Sequence, residues 1–175
     1  MQEILEKAKK IKLVIFDIDG VLTTGALFIG DDGQEYKAFN SKDGHGLRML
    51  QDGGVEVAII TGRTSNVVKH RAKDLGITRI YQGKREKLPA YEALLKETGL
   101  NHEDIAYVGD DVVDLPVMSK VGLAVCVQDS HYFVKQNADW VTVNNGGCGA
   151  GREVCEMILD AQEKLHDILQ SYISD

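Results

Sequence analysis

The stretch Ile11-Lys12-Leu13-Val14-Ile15-Phe16-Asp17-Ile18-Asp19-Gly20 decides how the chain is read. An apolar run interrupted by Lys12 stops abruptly on two carboxylates and a glycine. Such a run reads as a strand buried on both faces, the habit of parallel sheets. The pattern recurs downstream. Val55 to Ile60 ends on Thr61-Gly62-Arg63, and Ile105 to Val108 ends on Gly109-Asp110-Asp111. Val121 to Val127 and the shorter Trp140 to Val143 are further strand candidates.

Helix-period segments lie between these runs. Asp43 to Gln51, Ser65 to Leu75 and Glu86 to Thr98 are predicted helices, and Gly76 and Gly99 stop the second and third as C-terminal caps. Asp114 to Lys120 is a short helix with Pro in its first turn. Near the C-terminus, Val154, Ile158, Ala161, Leu165 and Ile168 form one apolar stripe and predict one helix. The alternation predicts an α/β, Rossmann-like parallel sheet flanked by helices. Leu22 to Phe39 breaks it: Asp31-Asp32-Gly33 sits between Ala26-Leu27-Phe28-Ile29 and Glu35-Tyr36-Lys37-Ala38-Phe39 and predicts a β-hairpin inserted after the first strand. At 175 residues, the chain is expected to be one domain over 1–175, with the hairpin at about 22–39 and a C-terminal helix and tail at about 151–175.

Net charge is −7 and the pI near 5.2, which argues against a nucleic-acid partner. No apolar run approaches a membrane span, and Met1 to Lys10 lacks the apolar core of a signal peptide, so a cytoplasmic protein with no membrane partner is expected. Cys126, Cys148 and Cys155 show no metal-ligand spacing and read as reduced bystanders. The one Gly-rich patch is Gly146 to Gly151.

In an open parallel sheet, ligands bind at the carboxyl ends of strands near a switch in strand order. Asp17 and Asp19, Thr61, and Asp110, Asp111 and Asp114 all sit immediately beyond strands, so they are expected to converge. Carboxylates so gathered repel one another unless a cation holds them, and Mg²⁺ suits a few carboxylates with phosphate oxygens. Asp17 can then attack a phosphomonoester and form an aspartyl-phosphate. Asp19, two residues on, can protonate the leaving alkoxide and later activate water. Thr61 can donate to a phosphate oxygen, and Lys87, at the start of the third helix, supplies a fixed positive charge.

Asp17-x-Asp19-Gly20, Thr61, Lys87 and Gly109-Asp110-Asp111-x-x-Asp114 resemble, in this order, the motifs of the haloacid dehalogenase-like phosphatases. The resemblance implies Asp17 as nucleophile, Asp19 as general acid/base, and Thr61 and Lys87 as phosphate binders. It further implies Mg²⁺ held by Asp17, the Asp19 backbone carbonyl and Asp110. Asp111 and Asp114 would stand behind them, Asp114 orienting the metal's water shell or Lys87. Thr61 and Lys87 are separated by one helix and a short strand, which leaves no room for a cap domain.

Lys37 to Gly44, Ile60 to Arg63, Tyr81-Gln82-Gly83 with Lys87, and Gly146-Gly147-x-Gly149-Ala150-x-Arg152-Glu153 are similar to a narrower group within that superfamily, the phosphatases of 3-deoxy-D-manno-octulosonate 8-phosphate. That resemblance implies a homotetramer with sites shared between subunits and a product used in lipopolysaccharide assembly. It also implies that Asp19, Asn40, Ser41, Lys42, Asp43, Gly44 and Lys87 line the substrate, and that Arg63 and Arg71 bind the sugar acid, whose carboxylate suits a guanidinium fork. A phosphatase for a nine-carbon keto-deoxy sugar acid is the nearest rival. A phospho-Asp receiver domain is the rival from another class, but its acceptor Asp would follow a middle strand, where this chain has Thr61.

Overall fold

The computed structural model describes residues 1–173. Six parallel strands form one sheet: β1 (Leu13–Phe16), β4 (Glu56–Ile60), β5 (Arg79–Tyr81), β6 (Ile105–Gly109), β7 (Leu123–Cys126) and β8 (Trp140–Val141). Their order is β5-β4-β1-β6-β7-β8. β1 thus lies between β4 and β6, and the chain reverses direction across the sheet there. Phe16 is in register with Ile59 on one side and Val108 on the other. The residues that follow these strands are therefore neighbours, which brings Asp17, Thr61 and Asp110 to one edge.

Alternate strand residues feed two cores. Val14, Phe16, Val57, Ile59, Ala106 and Val108 face one layer with α1 (Gln2–Ala8), α2 (Ser41–Asp52), α3 (Asn66–Asp74) and α7 (Ala150–Ala161). Leu13, Ile15, Ala58, Ile60, Ile105 and Tyr107 face the other, with α4 (Leu88–Thr98), α5 (Leu115–Met118) and α6 (Tyr132–Asn137). Burial on both faces accounts for the unbroken apolar runs. The hairpin β2 (Phe28–Ile29) and β3 (Glu35–Tyr36) stands apart as its own two-stranded sheet. Its turn is closed by Gly30 N–H donating to Gln34 O at 2.8 Å, with Gly33 at a positive φ of 79°. Leu27, Phe28, Ile29 and Tyr36 are all exposed on it.

The predicted final helix is two. α7 ends at Ala161, and α8 (Leu165–Ser171) follows a break at Glu163, whose φ is 58°. The apolar spacing of four from Ala161 to Leu165 runs through the break, so periodicity alone missed it. Gln162 donates to Ala8 O and Ile11 O across the break, which ties it to the N-terminal segment. Two short helices, α1 and α6, were not anticipated. The expected helix from Asp43 begins earlier, at Ser41, with Asn40 as its N-cap accepting from Lys42 N–H at 2.8 Å. The tail expected to about 175 runs in part outside the described residues.

α2 and α7 pack closely, and Asp43 joins them. Its buried carboxylate accepts from Arg152 N–H at 2.9 Å and Gly149 N–H at 3.4 Å, at the N-terminus of α7. A carboxylate there satisfies orphan donors and complements the helix dipole. Replacing it leaves buried donors unpaired. Asp43→Ala is expected to lower the unfolding free energy by about 1–3 kcal/mol; an unchanged urea midpoint would contradict this.

Candidate active site

The cleft at the carboxyl edge of the sheet is lined by Asp17, Asp19, Thr61, Gly62, Arg63, Arg85, Lys87, Asp110, Asp111 and Val113. Asp17 leaves β1 with its N–H donating to Val108 O at 3.0 Å, so the first residue beyond the strand is still held by the sheet. Its Oδ1 accepts from Ile18 N–H at 2.6 Å, and its Oδ2 lies 2.6 Å from Lys87 Nζ. Lys87 stands at the N-cap of α4, and its side chain is only 1% exposed. A cation is disfavoured at a helix N-terminus; two carboxylates compensate, because Lys87 Nζ also lies 2.6 Å from Asp114 Oδ1.

Asp114 is fully engaged. Besides Lys87, its Oδ1 accepts from the Tyr107 hydroxyl at 2.6 Å, and its Oδ2 accepts from Asp110 N–H at 3.0 Å and Asp111 N–H at 3.2 Å. Of the two orienting roles open to Asp114, the geometry displays contact with Lys87. Asp111 caps the following 3₁₀ turn through Val112 N–H at 2.7 Å and is exposed. Thr61 is buried at the end of β4, where its backbone pairs with Tyr81 O and Lys84 N–H.

Asp17, Asp110 and Asp114 offer carboxylate oxygens that all lie within 4.8 Å of one another. Burial foremost, then Asp114 and Asp17, pushes the Asp110 carboxyl up to about 8. Burial also pushes Asp17 up, with Lys87 pulling it back. Lys87 is shared between Asp17 and Asp114, so one buried ammonium faces the three carboxylates of the cluster. An all-oxygen acidic site of this kind fits a hard divalent cation. The turn is also tight. Gly20 has a positive φ of 94°, and a Cβ there would strike the Asp110 carboxylate. A Cβ on Gly146 would strike the Gly20 carbonyl oxygen, so the Gly-rich patch is where the chain packs closely against the acidic turn.

Not every expected site residue reaches this cleft. Arg63 lines it, but its guanidinium donates to Glu35 Oε1 at 3.1 Å. Arg71 lies instead in a separate cavity with Asn40, Asp43, Gly44 and Phe39, its guanidinium carbon 5.8 Å from the Phe39 ring centre. The two arginines, expected to face one region, therefore line different cavities. The Asn40 to Gly44 segment is the cap and first turn of α2 rather than a loop. Asn40 is bonded to Lys42 N–H and Gly147 O, Asp43 to α7, and Ser41 and Lys42 are exposed. Three polar residues that line the cleft or bond its acids were not singled out by sequence. Tyr107 occupies an inward strand position, which reads as core. Arg85 was overshadowed by Lys87. Lys37 bonds the Asp19 carboxylate from the hairpin, a contact that no local spacing signals.

A family model for haloacid dehalogenase-like hydrolases matches residues 75–150. The chain is 48% identical over 165 residues to the 3-deoxy-D-manno-octulosonate 8-phosphate phosphatase KdsC of Escherichia coli K12, covering 94% of this chain and 88% of that one. The chain belongs to this phosphatase family. Among solved structures, the enzyme of that name from Yersinia pestis superposes with a TM-score of 0.92 at 47% identity, covering 94% of this chain and 89% of that one. The Moraxella catarrhalis enzyme, solved with magnesium, phosphate and 3-deoxy-D-manno-octulosonate (KDO), superposes with a TM-score of 0.96 at 42% identity, covering 98% and 99%. The family is one of phosphomonoester hydrolases, and its fold is the parallel sheet described above. No described helix is long and apolar enough to cross a membrane.

A carboxyl whose folded pKa lies above its unfolded value contributes stability at low pH and loses it as pH rises through the folded value. In EDTA the chain is therefore expected to lose stability as pH rises from the ordinary carboxylate range, 3.8 for Asp110, toward about 8. Asp110→Asn should flatten that loss and abolish the rise in melting temperature on adding Mg²⁺. A melting temperature in EDTA independent of pH, or a full Mg²⁺ effect in the variant, would contradict the crowded-acid reading.

Proposed function

We propose that this chain hydrolyses 3-deoxy-D-manno-octulosonate 8-phosphate to the free sugar acid and phosphate, dependent on Mg²⁺ and through an aspartyl-phosphate. The observation that carries the reading is Asp17, fixed at the end of the central strand with one oxygen 2.6 Å from a buried ammonium. Bound by Asp17, the Asp19 backbone carbonyl and Asp110, Mg²⁺ would neutralise phosphoryl oxygens.

The chain's own residues supply the rest. Lys87 and the Thr61 hydroxyl hold phosphate oxygens, with Arg85 at the rim adding positive charge. Asp17 Oδ attacks phosphorus; the bond from phosphorus to the sugar oxygen breaks as Asp19 delivers its proton to that oxygen. The resulting Asp19 carboxylate then takes a proton from water as it attacks the phosphorus, and Asp17 leaves as a carboxylate. Phosphate is released and both acids return to their starting forms.

For the sugar acid, Arg63 at the cleft and Arg71 beside the Asn40 to Gly44 segment are the proposed carboxylate binders. Arg71 Nε is buried without a hydrogen-bond partner among the described residues, a donor that a carboxylate would satisfy. We further propose a cytoplasmic homotetramer with sites completed by neighbouring subunits, its product feeding lipopolysaccharide assembly. The exposed apolar hairpin supports assembly, since an uncovered apolar strand pair seeks a partner.

A panel of sugar and sugar-acid phosphates, assayed with and without EDTA, tests the reaction. Highest kcat/KM is expected on the eight-carbon sugar acid phosphate, with loss in EDTA. Asp17→Asn should abolish turnover with the fold intact, and Arg71→Ala should harm the sugar acid phosphate far more than p-nitrophenyl phosphate. Turnover in Asp17→Asn would sink the mechanism, and preference for a nine-carbon acid would replace the substrate. Sedimentation should give a tetramer that Phe28→Asp disrupts; a fully active monomer would refute the shared site.

A further inference from the structure

Asp17 and Asp19 are two residues apart and are held by different parts of the molecule. Asp17 is fixed from the core, by Lys87 and the Ile18 N–H. The Asp19 carboxylate has a single hydrogen-bonding partner among the described residues, the ammonium of Lys37, just beyond β3 in the hairpin. Tyr36 and Ala38 on either side of Lys37 are exposed, yet the Lys37 side chain is 2% exposed. It turns inward and also lies 3.1 Å from Glu35 Oε1. Glu35 Oε1 in turn accepts from Arg63 Nε at 3.3 Å and Nη2 at 3.1 Å. Arg63, Glu35, Lys37 and Asp19 thus form a row of alternating charge, running from the loop after β4, through the hairpin, to the loop after β1.

A lysine is poorly suited to a site that needs only packing, because a buried ammonium is costly unless paired on more than one side. Here both of its carboxylate partners are present, and one of them is the group that must reach the leaving oxygen. We propose that Lys37 is a positioning residue for Asp19, so that the hairpin, braced by Glu35 and Arg63, aims the general acid. The proposal rests on the reaction given above. It assigns the hairpin a role inside its own active site in addition to any role in assembly.

Leaving-group dependence separates aiming from general stabilisation. A p-nitrophenolate leaves without protonation, whereas a sugar alkoxide needs the proton of Asp19. Asp19→Asn is expected to lower kcat on the sugar acid phosphate by about 10²–10⁴. Lys37→Met is expected to lower kcat/KM there by at least about tenfold, while changing kcat/KM on p-nitrophenyl phosphate less than about threefold, because kcat/KM ends with departure of the leaving group and excludes the later water step that both substrates share. The Lys37→Met, Asp19→Asn double variant should be no slower than Asp19→Asn alone, since coupled groups are not additive. Lys37→Arg, which keeps the charge, should fold and show a smaller loss with the same leaving-group bias; it carries the test if Lys37→Met does not fold.

Equal losses of kcat/KM on both substrates, or losses that add in the double variant, overturn the positioning role while Asp17→Asn still abolishes turnover. Should Asp17→Asn itself remain active, the reaction falls and the role of Lys37 falls with it.

Discussion

The buried ammonium of Lys87 between Asp17 and Asp114 is the interaction on which the site depends. It ties the start of α4 to the end of β1 and the turn after β6, which the sheet already holds side by side. Breaking such a buried pair by removing one partner costs about 3–5 kcal/mol, because the other charge is stranded. The surroundings are built to prevent this. Asp114 is braced by the Tyr107 hydroxyl and two backbone N–H groups, and the Lys87 ammonium lies 5.9 Å from the centre of the Tyr107 ring. So held, Asp17, the proposed nucleophile, has little orientational freedom left to lose on binding substrate. The same arrangement sets the charge balance. One lysine is shared between two of the three clustered acids, and the negative charge left over is what a divalent cation resolves.

The sheet order explains why so small a chain can assemble this. With β1 central and its neighbours reached by opposite turns of the chain, the adjacent strand ends carry the groups, and a shift of one residue in register would turn Asp17 away. The same economy leaves the cleft uncapped. Between Thr61 and Lys87 the chain has room for α3, β5 and the connecting turns. The hairpin beside the cleft is the one insertion after β1, and it presents apolar side chains outward while sending Lys37 inward.

Much of this was legible in sequence because burial on both faces leaves an unmistakable mark. Apolar runs that end on Asp, Thr or Asp-Asp declare both the strand and its functional end, so Asp17, Thr61 and Asp110 were readable from their neighbours. What was not readable depends on contacts distant in the chain. Tyr107 sits at a core position of β6, and only Asp114 above it gives its hydroxyl a purpose. Gly146 owes its lack of a side chain to the carbonyl of Gly20. Asn40 to Lys42 lies ahead of the helix predicted from Asp43, yet capping by Asn40 starts α2 there, and Asp43 is drawn into the dipole of α7. The helix break at Glu163 was hidden for the opposite reason. The apolar period continues across it unchanged, and the break is set by Gln162 reaching the N-terminal segment.

On the proposed mechanism, the contrast between the two acids of the turn follows from what each would do. A nucleophile that bonds to phosphorus and is later released at the same position gains from rigidity, and Asp17 is held by the sheet and a buried cation. An acid that serves the leaving oxygen in one step and an incoming water in the next serves a departing and an arriving group in turn. Held by the core as tightly as Asp17, it would be committed to one geometry. Asp19 is instead held by a lysine of a two-stranded insertion that forms no part of the main sheet. On that view the two-residue spacing matters because it spans a structural boundary, with the hold of the sheet ending at Asp17 and that of the hairpin beginning at Asp19.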